Sequence, residues 1–244
     1  MKVLLLSGTR EARRLAAWLE QEKIEAIASF AGVTRSPELP QIETRLGGFG
    51  GEDAFRAFLL DQGITHILDA THPFAARMSH RSARVAAGMG IPYRQLLRPA
   101  WTPSDGDHWV SIAQEEQALD HIKPGSRVFL ATGRQTLDRF ANLQESFLIC
   151  RQIDPPERPF PFPNGEYLIG RPPFSVEDEE ALFRKLRIDW LVVKNAGGEM
   201  SATKLTAARQ LGLPVAMIER PPQPEGEKLQ TVKEAQSWLL SQKG

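Results

Sequence analysis

The strongest constraint on the fold is a regular alternation of strand-like and helix-like segments along the chain. Short apolar runs such as KVLLL (residues 2–6) and THILDA (residues 65–70) are separated by longer segments with helical spacing of apolar residues, such as EARRLAAWLEQ (residues 11–21). Strands separated by helices predict βαβ units and a parallel sheet with helices on both faces. The alternation continues to TVKEAQSWLLSQ (residues 231–242), which has the spacing of a last helix.

The alternation is interrupted between Arg98 and Asp107, where Pro, Gly and Asp are concentrated. Such residues are typical of a boundary between domains, and 244 residues are enough for two small domains. We therefore predict an α/β protein of two Rossmann-like domains, each with a doubly wound, mainly parallel sheet. The expected domains are residues 1–100 and 101–244, with the site in the cleft between them.

Charge and composition exclude several classes of protein. The 30 basic and 30 acidic side chains cancel, so bulk charge predicts neither a nucleic acid nor a membrane surface as partner. No apolar run reaches the roughly 18 residues of a transmembrane helix, and the apolar start is too short for a signal peptide. Cys150 is the single cysteine, which excludes a disulfide framework and predicts a buried thiol in a cytoplasmic protein.

Polar turns follow four of the predicted strands. They are SGTREA from Ser7, DATHPF from Asp69, ATGR from Ala131 and KNAGG from Lys194. Ligands of open α/β sheets bind at the carboxyl ends of the strands, and the helix N-termini there favour anions. Any one of these turns could be a simple helix cap. Their common position predicts a crevice for an anionic ligand.

A glycine-rich segment, RLGGFGGED, follows the third predicted strand. Gly47, Gly48 and Gly50 lack a Cβ, so the backbone can approach a ligand and donate its N–H groups. Phe49 is expected to pack on a flat ligand ring. A flexible turn is the alternative interpretation.

Several catalytic motifs are absent. The chain has no GxxxxGK, HExxH or GxSxG and no Tyr-x-x-x-Lys pair, which argues against ATP hydrolysis, zinc hydrolysis and a serine nucleophile. We predict no metal site. The turn SGTREA keeps only Gly8 and Ala12 of the GxGxxG pattern. A nucleotide-like crevice without a nucleophile or a metal suits hydride transfer, for which the protein supplies mainly positioning and electrostatics.

The segments GTREA, GGFGG, DATHPFA, TGR, RPPF and KNAGG, with Lys204 following, occur in this order in the precorrin-6A reductase family. The chain resembles that family over nearly its whole length. The resemblance implies two Rossmann-like domains and the NAD(P)H-dependent reduction of precorrin-6A, or its cobalt form, to precorrin-6B in cobalamin biosynthesis. Two positions depart from the family: Ser7, where Gly is frequent, and Ala196, where Ser is common.

The resemblance also implies which residues bind the ligands. The expected cofactor-binding residues are Gly8, Thr9, Glu11, Thr34, Arg35, Ser36, Gly47, Gly48, Phe49, Gly50 and Thr71. The substrate is a tetrapyrrole with many carboxylates, which Arg and Lys bind well. The expected substrate-binding residues are Phe74, Thr132, Gly133, Arg134, Arg171, Lys194, Asn195, Gly197, Gly198 and Lys204. Other enzymes of the corrin pathway are further expected partners.

Two predictions concern the chemistry. Thr34, Arg35 and Ser36 stand where an acidic residue would favour NADH, so we predict NADPH, with NADH as the alternative. We predict His72 as proton donor, with Asp69 orienting its imidazole. A binding role or a structural hydrogen bond for His72 stays open.

Three other functions stay open at this stage. They are a nicotinamide-dependent oxidoreductase with a smaller anionic substrate, a nucleotide-binding sensor module without chemistry, and a flavodoxin-like electron carrier. The residues do not decide between a metal-free and a cobalt-containing macrocycle.

Overall fold

Strands and helices alternate along the chain as predicted; the computed structural model describes residues 1–30 and 41–243. In chain order the elements are β1 (Lys2–Ser7), α1 (Arg10–Gln21), β2 (Glu25–Phe30), β3 (Glu43–Leu46), α2 (Glu52–Asp61), β4 (His66–Ala70), α3 (Ala76–Met89), β5 (Tyr93–Leu96), β6 (Trp109–Ile112), β7 (Arg127–Ala131), β8 (Phe147–Gln152), β9 (Gly165–Ile169), α4 (Val176–Leu186), β10 (Trp190–Lys194), α5 (Thr203–Leu211), β11 (Val215–Ile218), β12 (Lys228–Leu229) and α6 (Val232–Ser241). Short 3₁₀ helices lie at Glu115–Asp120, Arg134–Leu143 and Glu199–Ser201. Of the helices described, none has the length and apolar character needed to cross a membrane.

The chain divides into two compact units. Unit 1 comprises Met1–Pro99 and Pro221–Gly244, and unit 2 comprises Ala100–Arg220.

Unit 1 is built on a six-stranded sheet with the strand order β12-β5-β4-β1-β2-β3, and all neighbouring strands are parallel. The chain leaves β1 toward β2 on one side and later enters β4 on the other, so the strand order reverses between β1 and β4. The central strand β1 is buried from Val3 to Ser7, because helices cover both of its faces. Leu5 packs in one core with α1 and α6, whereas Leu4 and Leu6 pack in another with α2 and α3.

Unit 2 repeats this plan. Its six strands are ordered β6-β11-β10-β7-β8-β9, again with parallel neighbours, and the strand order reverses between β7 and β10. Phe129 of β7 packs edge-to-face on Phe183 of α4, with ring centroids 5.1 Å apart, in the main core of this unit. The prediction of two doubly wound, parallel-sheet α/β folds is confirmed.

Residues 221–244 lie in unit 1 and not, as predicted, with the C-terminal half of the chain. Leu229 of β12 pairs with Leu96 of β5, and α6 buries Ala235 and Leu239 completely in the same core as α1. A strand of two residues and an amphipathic helix do not encode which sheet they join. The apolar surface that unit 1 offers beside β5 and α1 decides the placement, because burial of such surface drives packing.

The segment RQTLDRFANL, residues 134–143, forms a 3₁₀ helix with a kink at Phe140 (φ −98°, ψ 15°). Its buried residues are Leu137, Phe140 and Leu143. Their spacing of three matches the three residues per turn of a 3₁₀ helix better than the 3.6 of an α-helix. The pattern of burial therefore explains the tighter winding.

Candidate functional site

The side chain of Thr9 joins the turn after β1 to the turn after β4. Thr9 is the N-cap residue of α1, and its Oγ1 accepts a hydrogen bond from the Ala12 N–H at 3.2 Å. The same hydroxyl donates to the Ala70 carbonyl at 2.8 Å. Gly8 lies against the second turn, since a Cβ built on it would come within 3.5 Å of the His72 backbone nitrogen. The structure thus brings SGTREA and DATHPF together at the carboxyl edge of the sheet, as predicted.

Asp69 is fully buried and binds residues that shape the turn after β4. Its Oδ1 accepts hydrogen bonds from the Thr71 N–H at 3.0 Å and the Thr71 hydroxyl at 2.7 Å, and its Oδ2 accepts one from the Tyr93 hydroxyl at 2.8 Å. Burial, and then the Asp69 charge, raise the pKa of the Tyr93 phenol, which therefore stays a donor. These hydrogen bonds give Asp69 a role in shaping the turn, and its predicted orientation of the His72 imidazole stays a prediction.

His72 lies beside Phe74, with ring centroids 5.8 Å apart. The Phe74 N–H donates to His72 Nδ1 at 3.3 Å. A nitrogen that accepts carries no proton, so this bond favours the neutral tautomer protonated on Nε2. The carbonyl of the intervening Pro73 accepts a hydrogen bond from Gln223 Nε2 at 2.9 Å. The sequence carries no signal for Gln223, which is 150 positions away.

A small open cleft lies beside these turns and is lined by Thr9, Glu11, Thr71, Pro73, Leu96 and Arg98. Glu11 lies in the first turn of α1, where its carboxylate interacts favourably with the helix dipole but would repel a bound anion. Arg98 binds this carboxylate at 2.7 Å, and the two side chains are only 16% and 26% exposed. The ion pair therefore compensates the negative charge of the cleft wall.

The glycine-rich loop folds around the side chain of Arg45. The Arg45 guanidinium donates to the Ser29 hydroxyl at 3.1 Å, the Gly47 carbonyl at 2.9 Å and the Gly48 carbonyl at 3.1 Å. It also lies 3.9 Å from the centroid of the Phe49 ring. A Cβ built on Gly47 or Gly48 would meet no atom within 4 Å. The Arg45 side chain thus fixes the loop through these carbonyls. No neighbouring atom blocks access to the backbone at Gly47 and Gly48.

Phe49 points into the core, contrary to the expectation that it packs on a ligand ring. It is only 7% exposed, and its ring centroid lies 4.4 Å from that of Phe55 and 5.1 Å from that of Phe58. Its apolar surface is buried by the helix that follows the loop. Gly50 is packed nearby, 3.6 Å from the Ala54 side chain when a Cβ is built. The predicted residues Thr34, Arg35 and Ser36 lie outside the described residues.

Lys194, at the end of β10, is held by two side chains from the 3₁₀ helices of unit 2. Its Nζ donates to the Thr136 hydroxyl at 3.1 Å and lies 3.6 Å from the Glu115 carboxylate, which Arg139 also binds at 2.8 Å. Burial lowers the pKa of the Lys194 ammonium, and the Glu115 charge opposes that shift. Glu115 is buried and distant in sequence, so only the fold reveals it.

The ATGR turn lies at the carboxyl end of β7. Thr132 is 9% exposed, and its hydroxyl has no hydrogen-bond partner among the described residues. Gly133 has a φ of 74° and precedes the 3₁₀ helix that begins at Arg134. A buried hydroxyl without a partner is unfavourable, which favours a ligand contact at Thr132.

The KNAGG turn is joined to Trp101. Asn195 Oδ1 accepts from the Trp101 N–H at 2.8 Å, and Asn195 Nδ2 donates to the Trp101 carbonyl at 2.9 Å. The Trp101 indole N–H donates to the Gly198 carbonyl at 3.1 Å. Gly197 and Gly198 have φ values of 67° and 87°, which glycine adopts readily. The side chain of Asn195, predicted to bind substrate, is therefore used to fix the segment that carries Trp101.

A buried ion pair lies near the end of β8. Arg151 donates to both oxygens of Glu179 at 2.7 and 2.8 Å, and the two side chains are 9% and 1% exposed. The Arg151 guanidinium also lies 4.4 Å from the centroid of the Phe174 ring. Both charges act on Lys204, which lies in the first turn of α5. Burial first, and then Arg151, lower the pKa of Lys204 to about 8, against the attraction of Glu179.

The two predicted substrate-binding arginines are exposed. Arg134 begins its 3₁₀ helix on the surface. The Arg171 side chain is 56% exposed and lies 3.5 Å from the Asp154 carboxylate. Because its side chain is largely exposed, the Arg171 guanidinium can reorient toward a ligand at low cost.

Comparison with known proteins gives one consistent result. The chain matches the family described as precorrin-6x reductase CbiJ/CobK over residues 2–240. It is 45% identical over 241 residues to a precorrin-6A reductase of Rhodococcus erythropolis, covering 98% of this chain and 97% of that one. It is 28% identical over 252 residues to a cobalt-precorrin-6A reductase of Priestia megaterium, covering 98% of each. The solved structure of a CobK precorrin-6A reductase superposes with a TM-score of 0.95 at 38% identity, covering 100% of this chain and 98% of that one.

Proposed function

The chain belongs to the precorrin-6x reductase family, and from this premise we propose that it reduces a double bond of the precorrin-6A macrocycle with hydride from NADPH, giving precorrin-6B in cobalamin biosynthesis. The observation that carries the proposal is the 45% identity to a precorrin-6A reductase over 98% of the chain. The protein is thus an oxidoreductase, which excludes the alternative of a nucleotide-binding sensor module without chemistry.

Three features of the unit 1 cleft support the binding of a dinucleotide there. Thr9 and Glu11, at the N-terminus of α1, line this cleft. Helix N-termini bind phosphate groups. Gly8 has no side chain to block that approach, and the backbone at Gly47 and Gly48 is open. The pair formed by Glu11 and Arg98 keeps the carboxylate from repelling the phosphates. When bound, the cofactor would supply the hydride.

The choice of NADPH depends on Arg35, with Thr34 and Ser36 beside it. A cation and two hydroxyl groups suit a 2′-phosphate, whereas an acidic residue there would favour the ribose hydroxyls of NADH. Replacing Arg35 with Ala should reduce the ratio of the kcat/KM values for NADPH and NADH. An unchanged ratio would show that Arg35 is only a solvated loop charge.

The metal-free macrocycle is the substrate we favour. The relatives called precorrin-6A reductase include proteins 39% to 45% identical to this chain, whereas three called cobalt-precorrin-6A reductase are 27% to 28% identical. Direct competition between the two macrocycles should give the higher kcat/KM for metal-free precorrin-6A. A preference for the cobalt form would reverse this assignment.

The carboxyl edge of the unit 2 sheet offers donors for the carboxylates of the macrocycle. Lys194 and the Thr132 hydroxyl lie there, with Arg134 exposed at the next turn. Charge-assisted hydrogen bonds to carboxylates are stronger than neutral ones. A neutral protein can therefore bind a polycarboxylate through this local set of donors.

His72 is proposed as a binding residue in preference to an acid. Its Nδ1 accepts the Phe74 N–H, and protonation of that nitrogen would replace the hydrogen bond with repulsion between two donors. The neutral ring would instead offer its Nε2–H to the cofactor or to a carboxylate of the substrate. Asp69 supports this role indirectly by holding the Thr71 turn.

The decisive experiment is incubation of the purified protein with precorrin-6A and either NADPH or NADH. The proposal predicts oxidation of the cofactor that depends on the macrocycle, and a product heavier by two hydrogen atoms. Cofactor binding without turnover, or turnover only with a smaller anionic substrate, would contradict it. A cytoplasmic location and contacts with other corrin-pathway enzymes stay predictions.

A further inference from the structure

Two N–H groups of the Arg45 guanidinium, near the carboxyl end of β3, have no hydrogen-bond acceptor among the described residues. A guanidinium has five N–H groups in all. Its Nη1 donates to the Ser29 hydroxyl and the Gly47 carbonyl, and its Nη2 donates to the Gly48 carbonyl. The remaining groups are the Nε–H and one N–H of Nη2. Nε and Nη2 lie on the same edge of the guanidinium, and such an edge binds a phosphate or a carboxylate through two parallel hydrogen bonds.

Arg45 also differs from other arginines of unit 1 in its partners. Arg84, Arg94 and Arg98 each bind a carboxylate, whereas none of the described Asp and Glu residues forms an ion pair with Arg45. Its guanidinium instead lies 3.9 Å from the centroid of the Phe49 ring, and the side chain is half-buried. Even partial burial of a cation is unfavourable without a counter-charge. An anionic ligand would supply the missing charge.

The fold places Arg45 beside the end of the second strand of unit 1. Arg45 is the register partner of Ser29 in β2, and the Gly47 N–H donates at 2.8 Å to the carbonyl of Phe30, the last residue of β2. In doubly wound folds that bind dinucleotides, an acidic residue after the glycine-rich turn binds the ribose of NAD, and an Arg nearby accommodates the 2′-phosphate of NADP. The end of β2 is the place of that acidic residue. The unpaired edge of Arg45 therefore belongs to the part of the sheet where a 2′-phosphate is recognised.

We propose that Arg45 binds the 2′-phosphate of NADPH through the Nε–Nη2 edge of its guanidinium and is a specificity-determining residue for this cofactor. The inference rests on the proposed function and adds a second cation to the one expected at Arg35. NADH has no 2′-phosphate and offers no anion to this edge. Arg45 should therefore strengthen the binding of NADPH and not that of NADH. A purely structural role, in which Arg45 only holds the loop carbonyls, would affect both cofactors equally.

The first test measures the binding of NADPH and NADH by titration calorimetry, without any turnover. Arg45→Met removes the guanidinium and keeps an unbranched side chain that can pack on Phe49. Because hydrogen bonds to charged groups are strong, we expect the preference for NADPH, which is the ratio of the two Kd values, to fall by about 10- to 100-fold. Arg14→Met removes an exposed arginine of α1 in the same unit. It is the matched control and should leave the ratio unchanged.

Three outcomes of this test would contradict the expectation. An unchanged ratio in Arg45→Met, whether both affinities fall together or neither does, would show a structural role and overturn the proposal. A fall of the same size in Arg14→Met would show an effect of net charge and would also overturn it. A wild-type protein that binds neither dinucleotide would overturn the proposed function itself.

The second test needs no variant and covers the case in which Arg45→Met does not fold. Wild-type protein is treated with an arginine-reactive dicarbonyl, and modification of Arg45 is measured by peptide mass spectrometry with Arg14 as the internal reference. The reaction is followed with saturating 2′,5′-ADP or saturating 5′-AMP, which differ only by the 2′-phosphate. We expect 2′,5′-ADP to protect Arg45 and 5′-AMP to leave it reactive. Equal modification of Arg45 in the presence of the two nucleotides would overturn the proposal.

Discussion

The hydroxyl of Thr9 donates a hydrogen bond to the backbone carbonyl of Ala70 at 2.8 Å. This contact spans 61 positions of sequence and joins the first turn of α1 to the end of β4. It connects the turn proposed to hold the cofactor phosphates with the turn that carries His72. The strand order of unit 1 reverses between these two strands, which is where doubly wound folds bind their ligands.

We predict that Thr9→Val weakens NADPH binding and Thr9→Ser does not. Valine has nearly the same shape but loses both the N-cap hydrogen bond to Ala12 and the hydrogen bond to Ala70. We expect the less well ordered turn to lower the binding free energy of NADPH by about 1 kcal/mol, which corresponds to an affinity about fivefold lower. Titration calorimetry of the three proteins with NADPH checks this. Equal affinities in Thr9→Val and wild type would show that the bridge does not shape the cofactor site.

Much of the fold is predictable because it is encoded locally. The apolar run of β1 and the helical spacing in α1 specify their elements, and the parallel alternation then restricts the topology. The polar turns can be located for the same reason, since each directly follows a strand. The role of each turn residue depends on contacts with distant parts of the chain. The burial of the Asp69 carboxylate and its hydrogen bond from Tyr93, for example, become visible only in the fold.

The features that sequence reasoning misses depend on pairs that are distant in the chain. Glu115 and Lys194, Arg151 and Glu179, and Asn195 and Trp101 are each brought together by the sheet of unit 2. Phe49 is assigned wrongly because a phenylalanine between glycines has the same pattern whether it faces a ligand or the core.

The placement of the C-terminal segment can be tested by stability. Leu239 of α6 is completely buried in the core of unit 1, whereas its neighbour Leu240 is 46% exposed. Leu239→Ala should reduce the free energy of unfolding by about 2–5 kcal/mol because it leaves a cavity. The matched control Leu240→Ala should stay within about 0.5 kcal/mol of wild type. Urea denaturation measures both, and equal effects would contradict this packing.

A substitution of His72 distinguishes binding from proton transfer. His72→Asn keeps a polar side chain of similar reach but removes a group that can titrate near neutral pH. The binding role predicts a raised KM for cofactor or substrate with turnover largely retained. A fall in kcat of about 10²–10⁴-fold, with loss of a pH-dependent limb of the profile, would instead identify His72 as the acid. Steady-state kinetics over a range of pH decides between these outcomes.

The last prediction concerns stability and the Lys204 ammonium. The pKa of Lys204 is about 8 in the folded protein against an ordinary value of 10.5. Below pH 8 the side chain is charged in the folded and the unfolded states, so folding carries the full cost of desolvating it. As the pH rises from 8 to 10.5 the folded protein releases the proton and the cost falls; above that range both states are neutral and the cost is gone.

Lys204→Met should therefore be more stable than wild type at pH 7, by roughly 1–3 kcal/mol. This difference should shrink as the pH is raised toward 10. Urea denaturation of both proteins at several pH values gives it directly, because other titrating groups contribute equally to the two proteins and cancel. Lys185→Met, on the exposed surface of α4, is the matched control for replacing a lysine ammonium with an apolar side chain. A Lys204→Met difference that stays constant or grows with pH would mean that the ammonium is not destabilised by its surroundings.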